Sequence, residues 1–91
     1  MGLLSWLRKR EKSDFVLYSS EVCSDCQLAE DFFKDNNIEI EIKKIEDPEI
    51  RKELKEKYDK VLVPTIILGK EKYIGFEQNK KEIMKRLNMN I

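Results

Sequence analysis

The pattern of hydrophobic and polar positions along the chain predicts first a strand and then a helix. A continuous apolar run at Phe15–Ser19 is rich in strand-forming residues and predicts a buried central strand. Residues 23–35 then show helical spacing. Their expected inward stripe consists of Leu28, Ala29, Phe32 and Phe33. Residues 38–43 alternate isoleucine with charge, which predicts an edge strand with one buried face.

The next element is predicted to be a helix that opens at Asp47 and Pro48. Aspartate is a favourable N-cap, and proline suits the first helical position because it has no N–H to satisfy. The positions of this helix expected to face the core are four residues apart, at Ile50, Leu54 and Tyr58.

The last third of the chain predicts a hairpin followed by a helix. A strand begins at Thr65, and the Gly69-Lys70 pair suits a type II′ turn into a short strand at 72–74. The final helix is expected to start near Asn79, with Glu82 as a partial capping box. Its inward positions are Ile83, Met84, Leu87 and Ile91.

The order of elements is therefore β-α-β-α-β-β-α, which is an α/β fold. The first β-α-β unit predicts two parallel strands with a right-handed crossover, and the hairpin adds antiparallel strands. We expect helices on both faces of this mixed sheet. Residues 1–13 are predicted to be an N-terminal extension and residues 14–91 the domain. The apolar face of Leu3, Leu4 and Leu7 leaves open a short interfacial or partner-binding helix.

The composition of the chain excludes several classes of partner and enzyme, and it adds less to the prediction of the fold. The 91 residues fit one domain, and 18 basic residues balance 18 acidic ones, which argues against nucleic acid as a partner. The chain contains no histidine, so Ser-His and Cys-His hydrolases are disfavoured. No apolar stretch approaches the length of a transmembrane helix. We expect a cytoplasmic monomer without a stable membrane association.

The two cysteines carry the clearest chemical signal. Cys23 and Cys26 form a C-x-x-C motif directly after a buried strand, at the start of a helix. A helix N-terminus favours an anion, so we predict a nucleophilic thiolate at the more exposed Cys23. Cys26, one turn later and more buried, would resolve a mixed disulfide on Cys23. Two reduced core cysteines, or a metal site shared by two chains through Cys23, are the alternatives.

The residues around Cys23 predict some tuning of its reactivity. The inner dipeptide is Ser24-Asp25, and Glu21 lies two residues before the motif. Negative charge so near would oppose thiolate formation and leave Cys23 less acidic than in strongly oxidising relatives. The alternative is that both carboxylates point into water and have little effect.

A second signal is Val63-Pro64-Thr65, where a proline precedes a strand. It marks either an ordinary strand boundary or a cis peptide bond. A cis bond would turn the Val63 backbone outward beside Cys23, where it could pair with an extended peptide or with glutathione.

Together these motifs resemble the glutaredoxin family of the thioredoxin superfamily, over about residues 14–88. The matching residues are Tyr18-Ser19, Cys23-x-x-Cys26, Val63-Pro64-Thr65 and Gly75-Phe76. The resemblance implies a three-layer fold with the first and third strands central, and a cis bond at Pro64. It also implies catalysis by Cys23 and Cys26 without an organic cofactor. The substrate would lie against Val63 and Pro64, with Thr65 supporting the loop and Gly75 and Phe76 lining the far side.

The chain differs from the family pattern at positions that bear on which reductant the protein uses. The family often has a lysine that contacts glutathione where this chain has Ser20, and usually Gly-Gly where it has Gly75-Phe76. The Gly-Phe pair is closer to the small glutaredoxin-like donors of ribonucleotide reductase, which accept electrons from thioredoxin reductase. The expected partners are thus disulfide-containing proteins with either glutathione or thioredoxin reductase. In the second case Phe76 would be an exposed contact for a protein partner.

Overall fold

The computed structural model describes residues 15–88 of the chain. The predicted division between an extension ending at residue 13 and a domain starting at residue 14 lies outside these residues. The same holds for the expected apolar face of Leu3, Leu4 and Leu7 and for the inward position of Ile91.

Within the described part of the chain, the elements follow the predicted order. The strands are β1 (Phe15–Ser19), β2 (Glu41–Lys44), β3 (Thr65–Leu68) and β4 (Glu71–Ile74). The helices are α1 (Ser24–Asp35), α2 (Pro48–Tyr58) and α3 (Lys80–Arg86), with a single 3₁₀ turn at Glu77–Asn79 before α3.

The four strands form one mixed sheet in the order β2-β1-β3-β4. β1 is parallel to β2, with Leu17 opposite Ile42, and antiparallel to β3, with Leu17 opposite Ile66. β3 and β4 pair as an antiparallel hairpin. The parallel β-α-β unit, the central β1 and β3 and the closing hairpin are therefore confirmed.

Side chains alternate between the two faces of the sheet, and each face is covered by helices. Leu17 lies on the face that packs against α1 and α3, in a core formed by Leu17, Ala29, Phe33, Ile66, Leu68, Phe76 and Ile83. Tyr18 lies on the opposite face, where its ring meets that of Tyr58 from α2 at 6.2 Å. The end of β1 is thus held from both sides, which fixes the position of the loop that follows it.

Two local predictions are confirmed by backbone geometry. Asp47 caps α2 by accepting a hydrogen bond from the N–H of Glu49 at 2.9 Å, and Pro48 is the first helical residue. The β3–β4 turn contains two residues, with Gly69 at φ +69°. Lys70 does not have a positive φ. A type II′ turn has a positive φ only at its first central residue, so Gly69 and Lys70 both fit this turn type.

The inward stripe of α1 differs from the prediction at one position. Leu28 is 45% exposed, whereas Cys26, Ala29 and Phe33 are buried. Successive helical residues are about 100° apart, and Leu28 lies just beyond the buried sector. The prediction for Leu28 was therefore wrong.

The second strand is shorter than predicted, because pairing with β1 begins at Glu41. Ile38 and Ile40 still pack against the core, but Ile42 lies at the open edge and is 42% exposed. A second correction concerns the capping box at Asn79. Its side chain donates to the carbonyls of Ile74 and Gly75 instead of capping α3.

Candidate active site

Cys23 is the N-cap residue of α1. Its backbone is extended, with φ −108° and ψ 118°, and its Sγ accepts a hydrogen bond from the N–H of Cys26 at 3.2 Å. The side chain is partly exposed and its thiol is free. The hydrogen bond and the positive end of the helix dipole both stabilise negative charge on this sulfur. The site therefore presents an accessible sulfur at the N-terminal end of α1.

Cys26 lies one turn into α1 and is fully buried. Burial raises the pKa of its thiol to about 12, and the hydrogen bond with Cys23 acts in the same direction. The neighbouring Ser19 side chain and Ser20 backbone lower this pKa and offset only part of the increase. The expected contrast between an accessible Cys23 and a buried Cys26 is confirmed. At neutral pH the reduced protein holds Cys26 as a thiol.

Asp25 does not point into water. Its carboxylate accepts hydrogen bonds from the backbone N–H groups of Phe76, at 2.8 Å, and Glu77, at 3.1 Å. These N–H groups precede α3, so Asp25, the second of the two residues between the cysteines, connects the start of α1 to the start of α3. Sequence reasoning missed this role, because no local pattern links positions so far apart in the chain.

The turn before Cys23 is held by a carboxylate from the β2–α2 connection. Glu46 accepts hydrogen bonds from Ser20 Oγ at 2.7 Å and from the N–H of Glu21 at 3.1 Å. The Ser20 bond is the main cause of a lowered pKa of Glu46. The exposed carboxylate of Glu21 lies 3.5 Å from Lys44 Nζ. A fixed negative charge thus lies against Ser20.

The Val63-Pro64-Thr65 segment lies at the same end of the sheet. Thr65 pairs with Tyr18, so β3 begins beside the end of β1 that leads to Cys23. The Val63–Pro64 peptide bond is cis. Thr65 is buried, and its Oγ1 donates to the carbonyl of Leu62 at 2.6 Å. The carbonyl of Pro64 accepts the N–H of Gly75 at 2.8 Å, which ties this segment to the end of β4.

Phe76 requires a correction. Its side chain is only 2% exposed and belongs to the core, where its ring lies 5.3 Å from that of Phe32. An aromatic ring gains more by burial between α1 and α3 than by exposure to water, because it removes a large apolar area from solvent. The side chain therefore neither lines a groove nor forms an exposed contact.

Two networks that the sequence did not reveal lie on opposite faces of β1. On the α1 face, Ser19 Oγ donates to Glu30 at 2.5 Å, and Lys44 Nζ lies 3.0 Å from the same carboxylate. On the α2 face, Glu53 accepts hydrogen bonds from Tyr18 Oη at 2.5 Å and from Lys43 Nζ at 2.7 Å. Both arise from residues that pair across β1 and β2, because Ser19 lies opposite Lys44 and Tyr18 opposite Lys43.

Residues 15–88 contain neither a cluster of metal ligands nor a membrane-spanning helix. No group of three histidine, cysteine, aspartate or glutamate residues is placed to hold a metal ion there. None of the helices in this range is long and apolar enough to cross a membrane.

Solved structures similar to this chain include a thioredoxin-like protein and glutaredoxins. No curated protein sequence matches this chain. Among solved structures, a mutant of the thioredoxin-like protein BC3987 is 26% identical, with a TM-score of 0.74, over 85% of this chain and 97% of the other. Glutaredoxin grx-1 from Archaeoglobus fulgidus is 16% identical, with a TM-score of 0.67, over 88% and 94%. A buckwheat glutaredoxin–glutathione complex is 15% identical, with a TM-score of 0.62, over 92% and 84%.

The two glutaredoxin structures share the fold of this chain: a four-stranded mixed sheet between helices. The family model described as Glutaredoxin matches residues 15–74, which include the C-x-x-C motif and the Val-Pro-Thr segment. The chain belongs to the glutaredoxin family.

Proposed function

We propose that this protein is a thiol–disulfide oxidoreductase that reduces protein disulfides or glutathione mixed disulfides through Cys23 and Cys26. One observation carries the proposal. The Cys23 sulfur accepts a hydrogen bond at the positive end of α1, and a buried second thiol lies one turn behind it. This arrangement combines an accessible nucleophile with a resolving group, which dithiol exchange requires.

The reaction proceeds in two exchanges. The Cys23 thiolate attacks one sulfur of the substrate disulfide, which forms a mixed disulfide and releases the other substrate sulfur as a thiolate. Cys26 then loses its proton and attacks Cys23 Sγ, which forms the Cys23–Cys26 disulfide and releases the second substrate thiolate. Two electrons pass from the dithiol to the substrate, and an external thiol or dithiol restores them.

The substrate is proposed to bind along Val63, Pro64 and Thr65, with its extended backbone beside Val63 as an added strand. The position of this segment at the end of β1 supports this role, as does its hydrogen bond to Gly75. Of Phe76 only the backbone faces the site, and its N–H is held by Asp25.

The second candidate is a dithiol donor that receives its electrons from thioredoxin reductase. The Glu46 carboxylate favours it, because this negative charge is bonded to Ser20, at the position where the family often has a lysine for a glutathione carboxylate. A negative charge at this position disfavours the binding of an anionic tripeptide, because like charges repel. The thioredoxin-like match at 26% identity is compatible with either candidate.

We further propose that the protein acts in the cytoplasm as a monomer that needs no organic cofactor. Its only two cysteines form one exchange motif, and a reducing compartment keeps such a dithiol active.

The deciding experiment is steady-state reduction of a glutathionylated peptide by glutathione and glutathione reductase. Wild type, Cys26→Ser and Cys23→Ser are compared. Turnover that survives Cys26→Ser and disappears with Cys23→Ser identifies a glutathione-dependent enzyme. A parallel assay supplies thioredoxin reductase and NADPH with a protein disulfide. Turnover only in that assay, abolished by either substitution, identifies the donor. Inactivity of the wild type in both assays would contradict both candidates.

A further inference from the structure

An open groove lies against the exposed side of α2, next to the turn that leads to Cys23. Its volume is about 580 Å³, its surface is mostly apolar, and its lining residues are Glu46, Pro48, Arg51, Lys52, Lys55 and Val61. Glu46 accepts a hydrogen bond from Ser20 Oγ at 2.7 Å, which joins the groove to the turn before the motif. Val61 lies two residues before Val63, where the substrate backbone is proposed to bind. A substrate chain that passes Val63 can therefore continue into the groove.

Three cations border this groove without an acidic partner in the described part of the chain. Arg51, Lys52 and Lys55 are exposed, and no ion pair within residues 15–88 joins any of them to a carboxylate. By contrast, Lys43 and Lys44 of β2 lie 2.7 and 3.0 Å from a carboxylate oxygen. The positive charge at the groove is therefore available to a partner molecule.

The sequence of α2 separates its charges onto two sides of the helix. At about 100° per residue, the three cations share roughly a third of the circumference with Pro48, whereas the three glutamates of α2 lie on the neighbouring side. The whole chain has a net charge of zero, so this positive charge is local. The lysine and arginine stems add apolar surface to the groove while their charged ends stay in water. Such a surface complements a segment that carries both apolar and acidic side chains.

We propose that this groove is a docking site for an acidic segment of the protein substrate, several residues away from the substrate cysteine. The inference rests on the proposed function and narrows its substrate class. The carboxylate of Glu46, held beside Ser20, repels negative charge close to the sulfur. Lys52 and Lys55 attract negative charge about one and two turns into α2. An extended chain covers that distance in about three to five residues, which a tripeptide does not have.

Three synthetic peptides test the docking. Each has a central cysteine joined through a disulfide to an uncharged quencher, and an uncharged fluorophore at one end. They differ only at the positions three to five residues on either side of the cysteine, which are all glutamate, all glutamine or all lysine. Excess reduced protein releases the peptide and the quencher as thiols and becomes the Cys23–Cys26 disulfide, so the fluorescence rises. The dependence of the rate on protein concentration gives the half-saturating concentration and the limiting rate separately.

The glutamate peptide is expected to reach half-saturation at an about fivefold lower protein concentration than the glutamine peptide, with the same limiting rate. Sodium chloride at about 0.5 M should remove most of this difference, because salt screens exposed charges. The double substitution Lys52→Gln and Lys55→Gln should abolish the preference. The control is Lys81→Gln with Lys85→Gln, an exposed pair with the same spacing on α3, which should retain it.

Charge reversal distinguishes docking from a loss of folding. Lys52→Glu with Lys55→Glu should make the lysine peptide the preferred substrate, which a damaged protein would not do. Equal half-saturation for the three peptides, or a preference that survives the double glutamine substitution, would overturn the inference. So would displacement of the glutamate peptide by a poly-uridine oligonucleotide at a lower concentration than by its own cysteine-free analogue, because the groove would then bind nucleic acid. Failure of the wild type to cleave any of the three peptides would instead contradict the proposed function.

Discussion

The carboxylate of Asp25, between the two cysteines, accepts a hydrogen bond at 2.8 Å from the backbone N–H of Phe76, 51 residues later in the chain. This bond, with a second one from Glu77, joins the first turn of α1 to the segment that precedes α3. The inner dipeptide of the motif therefore holds the site together and does not only modulate the sulfur beside it.

Replacing Asp25 with asparagine is expected to lower the free energy of unfolding by about 1–3 kcal/mol, because hydrogen bonds to a charged acceptor are weakened. Urea unfolding of Asp25→Asn and of the exposed control Asp31→Asn measures the difference. Equal stabilities would show that the contact with Phe76 contributes nothing.

The Asp25→Asn variant also tests whether Asp25 opposes thiolate formation at Cys23. A thiolate absorbance titration unchanged by the substitution would contradict that hypothesis.

The two thiols are expected to differ sharply in reactivity. Iodoacetamide at neutral pH should modify Cys23 alone, because Cys26 is fully buried and its pKa is raised to about 12. Mass spectrometry of the digested protein locates the label. Unfolding in urea should make both cysteines equally reactive, which serves as the control. Labelling of both residues at similar rates in the folded protein would be inconsistent with the structure.

Glu53 predicts an acid-dependent part of the stability. Its hydrogen bond with Lys43, followed by that with Tyr18, lowers the pKa of this carboxyl below the ordinary value of 4.5. A group with a lowered folded pKa stabilises the fold above its unfolded pKa and loses that contribution as the pH falls through the folded value. Glu53→Gln should therefore be less stable than the wild type near neutral pH and approach it in acid. Glu56→Gln, exposed on the same helix, should show no such convergence.

Gly75 is expected to tolerate a side chain less well than Gly69. Both have positive φ, at +94° and +69°. A Cβ at Gly75 would lie 2.6 Å from the Gln78 side chain, whereas one at Gly69 would lie 3.0 Å from the end of Arg86. Gly75→Ala should cost about 1–2 kcal/mol or more by urea unfolding. It should also lower activity, because Gly75 holds the carbonyl of Pro64. A larger loss of stability from Gly69→Ala would contradict this ranking.

The parts of the fold that depend on neighbouring residues were predictable from the sequence. A few neighbouring residues are enough to predict each of three features: the apolar strand β1, the cap formed by Asp47 and Pro48, and the turn at Gly69. The C-x-x-C motif likewise placed Cys23 at a helix start and Cys26 behind it, because both follow from helical geometry.

The remaining features depend on contacts between distant segments. Leu28 is exposed because the buried face of α1 ends beside it. The hydrophobic pattern of the sequence locates the edge of that face only to within one residue. The burial of Phe76 and the bonds of Asp25 depend on how α1 meets the segment before α3. Ser19 and Glu30 became recognisable as partners only when β1 and α1 were packed together.

The cap at Cys23 links the oxidation state of the protein to the integrity of its first helix. In the reduced protein the sulfur supplies the acceptor that the N–H of Cys26 requires. A sulfur that is joined to Cys26 in a disulfide can carry no negative charge and is a poorer acceptor. Reduced and oxidised forms therefore differ in folding free energy, and in a closed thermodynamic cycle that difference must equal a shift in the reduction potential. A residue that stabilises a helix start thereby also helps to set how readily this protein gives up its electrons.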